Sequence, residues 1–258
     1  MQLSVNGVKT QAIVEGEGPA VTLIHGVASS LESWDKIAER LSDGHRVIRY
    51  DLRGHGRTDT PPGPYAISDF ADDLLALLDE LNVEKTHVVG FSLGGLIVQS
   101  FALNHPEQTD KAVIISAVAN KSEQALARLK DRADEIDRCG VSSVMDAALE
   151  RWFTPEFRQA HPELVEQRVK RYLQTDPVGF AAAYRTFMEG DLGAHLHRIR
   201  VPTLVMTGEH DPGSSVAMAR FIHEQIRGSE LHILPRLRHN VLLEAPSAIA
   251  DRIGVFLG

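Results

Sequence analysis

The stretch THVVGFSLGGLIVQSFALN, residues 86–104, decides the fold. It opens as a short β-branched run, Thr86 to Gly90, and closes as an apolar, helix-favouring stretch, Leu96 to Leu103. Between them Gly90-Phe91-Ser92-Leu93-Gly94 fits Gly-x-Ser-x-Gly, the pattern of a sharp strand-to-helix turn. Glycines flank the serine because bulkier neighbours would collide with the returning backbone, and Gly95 allows still closer packing. Such a turn projects the Ser92 hydroxyl into a cleft. It also leaves the Leu93 N–H free at a helix N-terminus, where an open donor and the helix dipole both favour negative charge.

Working outward, short continuous apolar runs recur at Val21 to Ile24, Val47 to Tyr50, Val113 to Ile115, Leu204 to Met206 and Leu231 to Leu234, mostly with helical stretches between them. Parallel strands covered on both faces require runs of this kind. Ahead of them Val5 precedes Asn6-Gly7, and residues alternate through Val14, which predicts two strands joined by a tight hairpin. The expectation is an α/β fold built on one eight-stranded, mostly parallel sheet with helices on both faces.

Ser68 is placed to cap a helix whose apolar residues Phe70, Leu74, Leu77, Leu78 and Leu81 share one face. Its acids, Asp69, Asp72, Asp73, Asp79 and Glu80, read as a solvated face. From Asn120 to about Leu196 the strand pattern stops, and charged, helix-favouring stretches such as SEQALARLKDRADEI and ELVEQRVKRYL replace it. The strand pattern resumes at Val201-Pro202. The simplest topology is therefore a core of residues 1–119 and 197–258, interrupted by a helical cap, residues 120–196, that folds over the strand ends.

With 258 residues, 43% of them hydrophobic, the chain can bury one substantial core. A net charge of −8 argues against a nucleic-acid binder, so a small-molecule partner is expected. No run approaches the roughly 18 to 20 apolar residues that span a bilayer, which argues against a membrane partner. MQLSVNGVKT lacks the basic and apolar regions of a signal peptide, making the cytoplasm the default compartment. The single cysteine, Cys139, can form no internal disulfide and reads as structural. Twelve histidines raise the question of a metal, but no His-Glu-x-x-His or Cys-rich spacing appears, and neither metal nor cofactor is expected. A homo-oligomer stays open.

Serine is a poor nucleophile at neutral pH unless a base takes its proton as it attacks. His239 is the candidate base. It lies in PRLRHN, directly after the last apolar run, and downstream of an acid, in the chain order serine, acid, histidine. Asp211, in TGEHDP after Thr203 to Thr207, is the candidate for fixing the histidine tautomer, with Glu209 and Asp51 as rivals. His25-Gly26-Val27 follows another run, and its loop is expected to supply the Val27 N–H as a second oxyanion donor beside the Leu93 N–H. His25 itself reads as a loop brace, and the remaining histidines mostly fall on helices or surface-like loops.

His25-Gly26, the run Asp51-Leu52-Arg53-Gly54-His55-Gly56, the GFSLGG turn, Asp211 and His239 together resemble the α/β-hydrolase superfamily over essentially the whole chain. Within it, DLRGHGRTDTPPGPYAISDFADDLLALLDEL, RWFTPEFRQAHPELV and TDPVGFAAAY resemble 3-oxoadipate enol-lactonases. The cap likeness is the more informative, because caps diverge with substrate while the core is shared. The resemblance implies a serine hydrolase that cleaves a small ester or lactone, of the 3-oxoadipate enol-lactone kind, through an acyl-enzyme. It also implies that Arg151 and Trp152 face the substrate, an arginine being suited to grip a carboxylate.

His25-Gly26 departs from the family, which usually carries an Asn-Ser type pair there, and this keeps other esters and amides open. Carbon–carbon bond cleavage in meta-cleavage products, with the same triad, is the enzymatic alternative. A ligand-binding module that retains the triad is the non-enzymatic one.

Overall fold

The computed structural model describes residues Met1–Gly258. Its strands are β1 (Gln2–Val5), β2 (Val8–Glu15), β3 (Ala20–Ile24), β4 (Arg46–Tyr50), β5 (Thr86–Phe91), β6 (Thr109–Ile115), β7 (Thr203–Gly208) and β8 (Glu230–Leu234). They form a single eight-stranded sheet in the order β1-β2-β4-β3-β5-β6-β7-β8. β1 and β2 are an antiparallel hairpin turned by Asn6 and Gly7, both at positive φ, as an Asn-Gly pair permits. β2 pairs antiparallel with β4, and every later pairing is parallel. The eight strands anticipated from the apolar runs are all present.

Helices α1 (Asp35–Leu41), α2 (Ile67–Glu80) and α3 (Leu93–Asn104) alternate with the strands. Between β6 and β7 lie only helices: α4 (Glu123–Cys139), α5 (Met145–Trp152), α6 (Pro155–Ala160), α7 (Pro162–Leu173) and α8 (Pro177–Glu189), with short 3-10 turns. The chain closes with α9 (Val216–Gln225), α10 (Val241–Glu244) and α11 (Pro246–Leu257). No helix is long and apolar enough to cross a membrane.

Strand alternation sorts the core into two layers. Val88 and Ile114 pack with Phe70 and Leu74 of α2, Phe101 of α3 and Ile222 of α9 on one face. Their neighbours Val89 and Val113 turn to the other face, against Ile37 of α1 and Ile253 of α11. α3 is buried from Leu93 through Ala102, which explains its apolar character all round.

Three expectations change. α2 begins at Ile67 with Ala66 as its N-cap, because the Asp69 carboxylate accepts the Ala66 N–H at 2.8 Å; Ser68 lies inside the helix. Asp73 is buried rather than solvated, since both its oxygens take hydrogen bonds from Arg53 at 2.7 Å. Cys139 packs nothing: it is exposed at the end of α4, whose outer face is polar.

The inserted helices have a small core of their own, in which Ile136, Val144, Tyr172, Phe180 and Tyr184 pack around Ala28 of the β3–α1 loop. The insertion leaves and rejoins the sheet at one point. The Asp191 carboxylate accepts the N–H groups of Asn120 at 3.0 Å, Lys121 at 2.8 Å and Gly193 at 2.9 Å, drawing both ends together. Burial opposes ionisation of Asp191, but these donors and the nearby Lys121 ammonium outweigh it and hold the carboxyl below its usual range.

Candidate active site

Ser92 joins β5 to α3 at φ 57° and ψ −114°, a conformation that a residue with a Cβ adopts only when its surroundings enforce it. Here the Ser92 N–H donates to the Ile115 carbonyl at 2.9 Å, and the Ser92 carbonyl accepts the Leu96 N–H at 3.2 Å. Glycine is required on both sides. A Cβ on Gly90 would overlap the Gly94 carbonyl, and one on Gly94 would overlap the Ile24 carbonyl.

The structure brings Ser92, His239 and Asp211 together. His239 Nε2 lies 3.3 Å from Ser92 Oγ, and His239 Nδ1 lies 2.6 Å from Asp211 Oδ2. An ionised carboxylate can only accept, so the imidazole proton sits on Nδ1 and Nε2 is left to receive one from the serine. Asp211 is fully buried, and its Oδ1 accepts the N–H groups of Gly213 at 2.8 Å and Ser214 at 2.9 Å. These bonds fix the carboxylate plane. The rival acids are engaged elsewhere: Asp51 accepts the Leu31 and Arg57 N–H groups, and Glu209 accepts the Arg236 N–H.

The β3–α1 loop runs against the serine turn, because a Cβ on Gly26 would come 3.0 Å from Ser92 Cβ. Neither the Val27 nor the Leu93 N–H is taken by a backbone acceptor in the loops, and Val27 and Ser92 line one cavity. His25 braces this loop from beneath. Its Nδ1–H donates to the Gly26 carbonyl at 2.8 Å and its Nε2 accepts the Leu52 N–H at 3.0 Å. Burial pushes the His25 imidazole down to about 4, so it is neutral at physiological pH. His55, beyond the surface-like loops expected for most histidines, is buried beside it with ring centroids 5.2 Å apart, and burial pushes it down to about 3.

Above Ser92 is a cavity of about 240 Å³ whose wall includes Arg151 and Trp152 of α5. Arg128 and Arg132 of α4 and Arg168 of α7 line it too, and sequence reasoning missed all three. Arg132 reaches the Tyr184 hydroxyl at 3.4 Å and no carboxylate. Burial first, and then the Arg132 charge, lower the Arg151 guanidinium to about 10, which leaves it cationic at neutral pH. A signal for Arg132 was present: Leu129, Arg132 and Ile136 recur at helical spacing, placing the arginine on the inward face.

The cap also contacts the histidine loop through its backbone. The His239 N–H donates to the Arg151 carbonyl at 3.3 Å, and the Asn240 N–H to the Trp152 carbonyl at 2.9 Å. No group of three His, Cys, Asp or Glu side chains is arranged to hold a metal ion.

A strand-turn-helix serine, a buried acid after β7 and a histidine after β8 are the arrangement of an α/β hydrolase. The family described as alpha/beta hydrolase fold matches residues 19–246, and the chain belongs to it. It is 34% identical over 234 residues to 3-oxoadipate enol-lactonase 2 of Acinetobacter baylyi, covering 91% of this chain and 86% of that one. It is 27% identical over 246 residues to (E)-2-((N-methylformamido)methylene)succinate hydrolase of the same bacterium, covering 94% and 92%. The enol-lactonase of Burkholderia xenovorans superposes with a TM-score of 0.93 at 28% identity, covering 100% of this chain and 99% of its own.

Proposed function

We propose that the protein is a serine hydrolase that opens a small carboxylated ester or lactone, of the 3-oxoadipate enol-lactone kind, through an acyl-enzyme. The observation that carries this reading is the chain of contacts from Ser92 through His239 to Asp211, set beneath a pocket whose wall carries the guanidiniums of Arg128, Arg132 and Arg151, none with a carboxylate partner. Both named relatives have carboxylated molecules in their names, which supports the same substrate class.

In this scheme Ser92 Oγ attacks the lactone carbonyl while His239 Nε2 takes its proton. The Val27 and Leu93 N–H groups receive the negative charge that develops on the carbonyl oxygen. As the intermediate collapses, the ring C–O bond breaks, and the departing enolate takes the proton from His239 and becomes a ketone. Water then adds to the acyl-enzyme with His239 again as base, releasing the keto acid and restoring Ser92. Arg132 and Arg151 hold the substrate carboxylate, and the Trp152 ring supplies a flat apolar wall.

The test follows 3-oxoadipate enol-lactone by ultraviolet absorbance with wild-type protein and Ser92→Ala at equal concentration. Rapid loss with the wild type alone supports the reading. Equal rates with both proteins, or none with either, removes the enol-lactone assignment.

A further inference from the structure

Arg168 is the residue of the pocket wall whose position the substrate does not explain. Its half-buried guanidinium lies beside two rings that touch each other, 4.4 Å from the Trp152 centroid and 5.8 Å from that of Tyr172. From there Nη1 donates to the Ala28 carbonyl at 2.9 Å, a bond between the cap and the core across 140 residues of sequence. Ala28 is fully buried and stands at φ 52°, the left-handed region that an alanine enters only under constraint.

The Val27 N–H belongs to the Gly26–Val27 peptide and the carbonyl held by Arg168 to the Ala28–Ser29 peptide, so a single peptide unit separates the anchor from the donor expected to face the oxyanion. The loop is therefore gripped on both sides of Val27. His25 anchors its beginning to the core through the Leu52 N–H and the Gly26 carbonyl, and Arg168 anchors its Ala28 carbonyl to the cap. Without the Arg168 bond the next tie is the Leu31 N–H on Asp51, three residues on, and the left-handed alanine would relax toward an ordinary backbone conformation and turn the Val27 N–H away from the reacting carbonyl.

We infer that Arg168 is a positioning residue that aims the Val27 N–H by holding the Ala28 peptide, so that the second oxyanion donor is complete only with the cap in place. This rests on Ser92 being the nucleophile, and it extends that reading by making the cap part of the machinery for charge stabilisation. Arg168 is thereby separated in role from Arg132 and Arg151, whose guanidiniums have no such backbone partner.

The experiment uses a neutral ester, p-nitrophenyl acetate, so that carboxylate binding plays no part. Arg168→Met keeps an unbranched stem beside Trp152 and Tyr172 but removes the donor; Arg168→Lys keeps a donor able to reach the same carbonyl. Removing one oxyanion donor outright lowers kcat by about 100- to 1,000-fold. Misaiming one should therefore lower kcat for Arg168→Met by roughly 10- to 100-fold on that scale, with KM within about two-fold, and Arg168→Lys should recover part of the loss.

A second readout compares two inhibitors. Affinity for a boronic acid, which forms a tetrahedral adduct on the serine, should fall in both variants, while affinity for a flat carboxylate should hold. If Arg168→Met does not fold, Arg168→Gln, whose amide sits on a shorter stem, takes its place in both readouts. Unchanged kcat on the neutral ester, or an unchanged inhibitor ratio, overturns the inference. Absence of Ser92-dependent activity in the wild type would instead sink the serine-hydrolase reading on which it stands.

Discussion

Glu244 accepts two hydrogen bonds from Thr154 of the cap, one from its N–H at 2.9 Å and one from its hydroxyl at 2.8 Å. α10, which ends at Glu244, begins one residue after Asn240, so this contact lies next to the histidine loop. With the Arg151 and Trp152 carbonyls holding the His239 and Asn240 N–H groups, the edge of the cap and the loop bearing His239 form one hydrogen-bonded unit.

Thr154→Val keeps the shape of the side chain but removes the hydroxyl, which both donates to half-buried Glu244 and accepts the Phe157 N–H as the N-cap of α6. The expected loss is about 1 to 2 kcal/mol of unfolding free energy in urea, with kcat reduced as well because the His239 loop loosens. A variant as stable and active as the wild type would show that the two segments are independent.

Asp211→Asn places an amide where Nδ1 of His239 needs an acceptor and can stabilise the wrong tautomer. Turnover should fall by roughly 10³- to 10⁴-fold, with the fold retained by circular dichroism. Asp51→Asn and Glu209→Gln alter acids that have no contact with His239, and neither should reproduce that loss.

Arg132→Gln and Arg151→Gln should raise KM for a carboxylated lactone by roughly 10- to 100-fold each, the scale of a charge-assisted hydrogen bond. KM for a neutral ester should stay within about two-fold. Equal changes for both substrates would indicate a damaged cap rather than a lost carboxylate contact.

His25 and His55 make stability depend on pH. Burial holds their folded values near 4 and 3, below the ordinary 6.5, so both are neutral in the native protein and gain a proton more readily on unfolding. Their contribution is complete above pH 6.5 and is lost as pH falls through the window from 6.5 toward 4 and 3. For His25 the full change is on the order of 3 kcal/mol. Urea titrations at pH 7, 5.5 and 4.5 should show the decline, and His55→Leu should make it shallower. A slope unchanged by that substitution would show that His55 is not the source.

The fold was legible because its signals are local. Each β-branched run became a strand, and the Asn6-Gly7 pair and the GFSLGG turn state their own geometry in a few residues. Ser92, His239 and Asp211 were legible from chain order and from the loops that follow apolar runs. Asp73, Arg132 and Arg168 were not, because a charged residue on a helix reads as solvated until its partner is known. Arg53, Tyr184 and Ala28, the groups they meet, are 20, 52 and 140 residues away. The helix start at Ile67 escaped for a related reason: the capping carboxylate, Asp69, lies inside the helix it caps.

The two ends of the insertion hang from the single carboxylate of Asp191, while α8 packs Ala182 and Ala183 into the core and bonds Thr186 to the Tyr65 carbonyl, so no strand of the sheet depends on the insertion for its pairing. A longer, shorter or altogether different lid grafted at those ends would leave the strand pairing undisturbed. Its grip on the loops bearing Val27 and His239 would have to be built anew. The pocket wall can thus be exchanged as a module, whereas its hydrogen bonds to the two loops have to be built again with each exchange.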